Sequence, residues 1–315
     1  MAEEKIIAFM RFRKPMAIFS LIVVLIGLAS IITKGLNLGL DFTGGTSVEL
    51  EYAKPVGQMA LQEALEKAGV KDTVVQHVGS ASQVLIRMPP QEKAGGEIGQ
   101  RVLHAAQFDA QNPATLRQVD SVGSQVGSEL YSQSLLAIGM SLFLMMVYVA
   151  VRFRFKFAVG AVISLVHDTI FTVGVFSIMG WPFDLTVLAA VLALIGYSLN
   201  DTIVVFDRVR ENFRRLRRAD PVEIIDISLT ETLRRTIMTV ATVVIVVVAL
   251  LFLGGTALKW FSVALLVGLF AGTYSSIYIA TSYALAMGLN KEDFMIMPKS
   301  EFVEEDVVDV DEVKP

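Results

Sequence analysis

Six apolar stretches, each near the ~20 residues that a helix needs to cross a bilayer core, leave this chain few folds to choose from. They are Met16–Thr33, Leu135–Val151, Phe157–Ile178, Leu185–Phe206, Thr236–Leu253 and Trp260–Met287. Backbone in lipid must satisfy its own hydrogen bonds, so such segments are expected as helices. Charged residues are 18% of the chain and hydrophobic ones 54%, against about 25% charged in a soluble domain. The mean hydropathy is +0.59. The expected fold class is a polytopic α-helical membrane protein with six transmembrane helices.

Basic residues fall on alternate connections. Lys5, Arg11, Arg13 and Lys14 precede the first stretch, and Arg152, Arg154 and Lys156 join the second to the third. Arg208, Arg210, Arg214, Arg215, Arg217, Arg218, Arg234 and Arg235 lie between the fourth and fifth, whereas Gly180–Asp184 and Gly254–Lys259 hold Lys259 alone. Positive charge stays inside, which puts both termini and the Arg-rich loop 207–235 in the cytoplasm. The first stretch is longer than a signal core and is followed by Lys34 and Gly35 without a small-x-small site, so it reads as an uncleaved anchor. The division is a cytoplasmic N-terminus (1–15), a first span (16–33), an external domain (34–133), spans two to six (135–287) and an acidic cytoplasmic tail (288–315). The tail has the composition of a solvated, disordered segment.

The external region is the only sizeable polar one. Ser47–Tyr52 reads as a strand, Val56–Ala68 as a helix with Leu61, Leu65 and Ala68 on one face, and Thr73–Val78 with Gln83–Arg87 as a hairpin around Gly79–Ser82. Ile98–Phe108 is helical and Thr115–Val122 a strand. The order β-α-β-β-α-β predicts a small α+β sandwich of ferredoxin-like type. On the other side, Asp220, Pro221 and Glu223 form a helix start. The helix from Val222 carries Ile225, Leu229 and Leu233 on one face, which predicts that it lies on the membrane and leads into the fifth span.

Chemistry concentrates where charge is expensive. Asp201 sits inside the fourth stretch, where a carboxylate costs on the order of 3 kcal/mol or more and ordinarily faces a partner or an ion path. Tyr197 shares its helix face, Asn200 adjoins it, and Arg235 stands at the mouth of the next span, within reach of a long guanidinium. Burial and a neighbouring cation pull a carboxyl's proton affinity in opposite directions, so a small helix movement could load and release an ion. A static ion pair is the structural alternative. His167 and Asp168, mid-way along the third stretch, fit either a relay or hydrogen-bonded helix glue. Asp207, Arg208, Arg210 and Glu211 are expected to pair among themselves. Gly268, Gly272, Ser276, Ala280 and Ala284 form a small-residue packing face, and Ala189, Ala193, Gly196 and Asn200 a looser one.

Much is excluded. With no cysteine there are no disulfides, zinc–thiolate sites or thiol catalysis. Three histidines leave little scope for a His-rich metal site, and a net charge of −4 says little by itself. No GxxxxGK[ST] loop is present, so ATP hydrolysis is not expected; nor is any other enzymatic activity, a cofactor or nucleic-acid binding. Work would have to come from an ion gradient or a partner.

Five motifs carry a resemblance over nearly the whole chain: GLDFTGGT (Gly39–Thr46), VHD (Val166–Asp168), GYSLNDTIVVFDRVREN (Gly196–Asn212), LRRTIMT (Leu233–Thr239) and the region Gly254–Ser276. Together they resemble the SecF family, the smaller half of the SecDF protein-export complex within the resistance-nodulation-division group. The resemblance implies a separate SecD partner, association with the SecYEG channel and with YajC and YidC, preprotein clients, a lipid environment in the bacterial inner membrane, and proton or sodium motive force as energy. It implies an ion path through Asp201 and Arg235, and a family-signature turn at Asp41, Gly44 and Gly45 that is either structural or a hinge. The competing readings are a half-size transporter of the same group exporting a lipid or small molecule, and a structural stabiliser of the translocon.

Overall fold

A computed structural model of the chain describes residues 6–78, 80–90, 95–153, 155–216 and 218–290. Lys5, Gly79, Arg154, Arg217 and the tail from residue 291 lie outside the described residues. Among those described, six helices are long and apolar enough to cross a membrane. They are α1 (Arg13–Thr33, preceded by a short turn Phe9–Phe12), α5 (Ser124–Arg152), α6 (Phe155–Met179), α7 (Leu185–Arg215), α8 (Pro221–Leu253) and a last helix in three parts: α9 (Gly255–Ser275), a single π turn Ser276–Ala280, and α10 (Thr281–Ala286). About half of the apolar window in α6, α7 and the last helix is buried within the chain, against 11% in α1, α5 and α8. Three helices therefore make the core and three present their side chains outward, to lipid or to another chain.

Small residues set how closely the central helices approach. A Cβ at Gly160 of α6 would stand 2.5 Å from the Ala280 carbonyl oxygen, and one at Gly174 would stand 2.8 Å from Gly27 Cα of α1. Gly268 of α9 leaves room for the Leu194 side chain of α7. Gly196 meets nothing within 4 Å, and Ala189, Ala193 and Asn200 on the same helix are exposed. The packing face expected on the last helix is thus used within the chain, while the one on α7 stands open.

Between α1 and α5 come β1 (Asn37–Leu38), α2 (Leu40–Thr43), β2 (Gly45–Tyr52), α3 (Gln58–Lys67), β3 (Val74–His77), β4 (Gln83–Met88), α4 (Gly95–Ala106) and β5 (Ala114–Val122). The antiparallel order β3-β4-β2-β5 puts the first long strand in the middle, as the β-α-β-β-α-β succession requires. Alternation along β2 and β4 turns Val48, Leu50, Tyr52, Val84, Ile86 and Met88 inward. Leu61 and Leu65 of α3 and Val102 of α4 close over them. Burial pushes the Tyr52 phenol up to about 12, and its hydroxyl donates to the Ala106 carbonyl at 3.1 Å. A second, two-residue parallel pair joins β1 to β6 (Pro182–Phe183), tying the outer end of α1 to the α6–α7 connection.

Two expectations change. The chain from Pro221 to Leu253 is one unbroken helix, capped by Asp220, whose side chain accepts from Val222 N at 3.1 Å. The apolar face of its first turns, expected against lipid, packs within the chain: Ile224, Ile225 and Leu229 are buried in one cluster with Phe206, Val209 and Phe213 of α7. Nothing in the sequence breaks either helix at the interface, so α7 continues past Phe206 to Arg215 and the two pack as a pair. The charged residues there are likewise not self-contained. Arg208 bonds Glu211 at 2.6 Å but also Glu231 of α8 at 2.7 Å, and Asn212 Nδ2 donates to Glu231 at 2.6 Å.

Gly160→Ala should destabilise the protein by about 1–3 kcal/mol, because the atom it meets is backbone. Gly196→Ala should be neutral or stabilise by up to about 1 kcal/mol through helix propensity. Chemical unfolding of the purified chain in detergent checks both.

Candidate functional site

The two conspicuous intramembrane carboxylates occupy different surroundings. Asp168 of α6 is buried and bonded on both oxygens. His167 Nδ1 lies 3.0 Å from its Oδ1, while Ser198 of α7 and Ser275 of α9 donate to Oδ2 at 2.6 and 2.7 Å. Ser164 adds a hydroxyl 2.8 Å from Ser275. This close approach needs Gly272, where a Cβ would sit 3.1 Å from Ser198 Oγ. The His167 ring packs near Phe171 and Tyr274, and the Tyr274 hydroxyl donates to Met16 O of α1 at 2.7 Å. The result is a polar knot through α1, α6, α7 and α9 in which the carboxylate's oxygens are used.

Asp201 is different. It lies on α7, one turn beyond Ser198 and about 4.5 Å further along the axis, and is 3% exposed. Among the described residues no cation forms an ion pair with it. Thr239 of α8 lies close enough to act on its carboxyl, and Arg235 acts on it through space. The Thr239 hydroxyl also donates to Thr236 O at 2.9 Å and Arg235 O at 3.1 Å of its own helix. Tyr197, one turn before Asp201, brings a buried hydroxyl toward the same carboxyl and toward Thr239. Arg235 itself is exposed. The contact pair expected from the sequence is therefore absent, and Arg235 faces the carboxyl as a distant charge.

The expected ion-path residues thus divide. Asp201, Tyr197 and Arg235 converge on the α7–α8 seam. His167 and Asp168 belong to the polar knot. Asn200 is exposed on the open face of α7. The reading missed Ser198, Ser275 and Thr239. Ser276, picked out for its spacing, bonds only Thr273 O of its own helix at 3.1 Å; its neighbour Ser275 makes the contact between helices.

At the far end of α7 the glycine-rich turn has a defined task. Asp41 Oδ2 accepts from Leu185 N at 3.0 Å, and Asp184 Oδ1 accepts from Val187 N at 2.9 Å, so two carboxylates cap the positive end of one helix. Gly44 and Gly45 adopt φ of +67° and +126°, where a side chain is strained. A Cβ on Gly44 would stand 2.8 Å from Ser124 Cα, and one on Gly45 would stand 2.5 Å from Met88 O. The turn thereby brings together the strand that leaves the bundle and the helix that returns to it. Arg87 of β4 reaches the same place: its Nη1 lies 3.5 Å from Leu38 O. Burial lowers its guanidinium from the ordinary value, while Asp184 and Asp41 oppose that shift.

Comparison with known proteins matches this arrangement. Residues 102–290 fit the family described as "Protein export membrane protein SecD/SecF, C-terminal", and residues 29–56 the "SecD/SecF GG Motif". The chain belongs to the SecF family of protein-export membrane proteins. It is 51% identical over 290 residues to the protein translocase subunit SecF of Pseudomonas aeruginosa, covering 92% of this chain and 94% of that one. The SecF of Vibrio alginolyticus is 44% identical over 293 residues, covering 93% of each. Among solved structures, SecDF of Thermus thermophilus, a translocon-associated membrane protein, superposes with a TM-score of 0.82 at 34% identity. That match takes in 91% of this chain and 39% of the longer one. The SecF GG motif is the turn built on Gly44 and Gly45.

Replacing Asp168 by alanine removes the acceptor that the Ser198 and Ser275 hydroxyls share and should cost roughly 1–3 kcal/mol. Asp201→Asn, which keeps the side chain's shape and breaks no ion pair among the described residues, should cost less than the Asp168 variant. Parallel denaturation of the two variants measures the contrast.

Proposed function

We propose that the chain is an accessory subunit of the Sec translocon that pairs with a separate SecD chain. In this reading it draws on a proton or sodium gradient to promote preprotein movement across the bacterial inner membrane. The observation that carries the ion-driven part is Asp201: a buried carboxyl that makes no ion pair among the described residues, beside a buried phenol and a threonine hydroxyl on the neighbouring helix. Such a group can exchange its ion without first breaking a salt bridge. Asp168, saturated by its neighbours, holds the helices together.

A translocating ion binds Asp201 within the α7–α8 seam, with Tyr197 and Thr239 as hydroxyl partners. Arg235, at the basic end of α8, raises the local potential and favours release of a cation. The basic end is the cytoplasmic one by the distribution of positive charge. Binding and release change the electrostatic match between α7 and α8. At its other end α7 is capped by Asp41, which is joined through Gly44 and Gly45 to the central strand of the external sheet, so displacement of α7 passes to that domain. One unit charge moving through 100 mV supplies about 2.3 kcal/mol, enough to bias a movement of a few kcal/mol. The open stripe of Ala189, Ala193, Gly196 and Asn200 supports a helix-packing surface for SecD. SecYEG, YajC, YidC and the preprotein clients enter as further partners through family membership.

In vesicles carrying this chain, SecD and the translocon, Asp201→Asn should reduce gradient-stimulated export by tenfold or more while the complex still assembles. Export stimulated normally by the variant would overturn the ion-driven role. Imposing proton and sodium gradients separately identifies the ion.

A further inference from the structure

A cavity of 570 Å³ opens at the basic end of the bundle, between the start of α1, the start of α8 and α10. None of the residues around it belongs to the Asp168 knot or the Asp201 seam. Arg13 and Lys14 stand on its wall, and among the described residues neither forms an ion pair. The one acidic neighbour, Asp220, has its carboxylate engaged in capping α8. Below the two cations the wall is apolar, made by Ala17, Leu285 and the buried Leu289. Ser282 also lines the cavity, and its hydroxyl is buried without a hydrogen-bond partner.

We propose that this cavity is a binding site for one anionic phospholipid. Two unneutralised cations above an apolar wall ask for a molecule that is anionic at one end and hydrocarbon at the other; free phosphate would satisfy the first half and leave the second wet. The phosphodiester lies against Arg13 and Lys14, Ser282 donates to a phosphate or ester oxygen, and one acyl chain runs along Ala17, Leu285 and Leu289. The level in the membrane agrees, because juxtamembrane basic residues sit where lipid headgroups are. A lipid held there bridges α1 and α10 to the first turn of α8, the helix that carries Arg235 and Thr239, so lipid composition would tune the mobility of that helix.

The test is native mass spectrometry of the full chain released from vesicles of phosphatidylcholine with phosphatidylglycerol, supported by titration of phosphatidylglycerol into delipidated protein. The wild type should retain a phosphatidylglycerol adduct in preference to phosphatidylcholine. Arg13→Gln with Lys14→Gln should weaken it by roughly thirtyfold, the ordinary effect of two basic residues at a lipid surface. Ala17→Trp, which keeps both charges and fills the apolar wall, should remove it as well. Neutralising Arg210 and Arg214, which line a separate surface recess and not this cavity, should leave it in place. The proposal fails if the Arg13/Lys14 variant binds as the wild type does, or if the Arg210/Arg214 control loses as much. It also fails if inorganic phosphate competes as strongly as lipid, or if affinity emerges only after residues 291–315 are deleted, which would make the acidic tail the occupant.

Discussion

A carboxylate inside a membrane bundle must be stabilised by its surroundings or give up its charge, and this chain carries two, Asp168 of α6 and Asp201 of α7, in contrasting surroundings. Asp168 is surrounded by donors from three helices. Asp201 has hydroxyls at hand, feels the Arg235 guanidinium through space, and makes no ion pair among the described residues. The glycines of the central helices serve the first arrangement by letting Ser198 and Ser275 come close.

The same helix connects the two ends of the molecule. α7 carries Ser198 and Asp201 in the bundle, receives the Asp41 carboxylate at its first turn, and packs against the first turns of α8 through Phe206, Val209 and Phe213. The glycine pair after Asp41 begins the central strand of the external sheet, and Arg87 of the adjoining strand lies in the field of Asp41 and Asp184.

What the sequence discloses follows from range. The six spans and the β-α-β-β-α-β order are legible because hydrophobic blocks and alternation are local signals. The ends of α7 and α8 are not, since an amphipathic turn reads the same on a lipid surface or against another helix; here Ile225 and Leu229 found α7 instead of lipid. The partners of Asp168 lie 30 and 107 positions away along the chain, and nothing local separates Ser275 from Ser276. Only three-dimensional packing shows that one faces the knot and the other its own helix. Arg235 was placed beside Asp201 by arm length, yet its exposed position keeps the pair apart.

The claim at the centre is that Asp201 exchanges an ion while Asp168 does not. Difference infrared spectroscopy of the protein in bilayers, stepped in pH or sodium, follows carboxyl groups directly. The account predicts a carboxyl band that responds to the step, disappears in Asp201→Asn and survives replacement of Asp168 by asparagine. A band that vanishes with Asp168 instead, or the absence of any responsive carboxyl in the wild type, would contradict it.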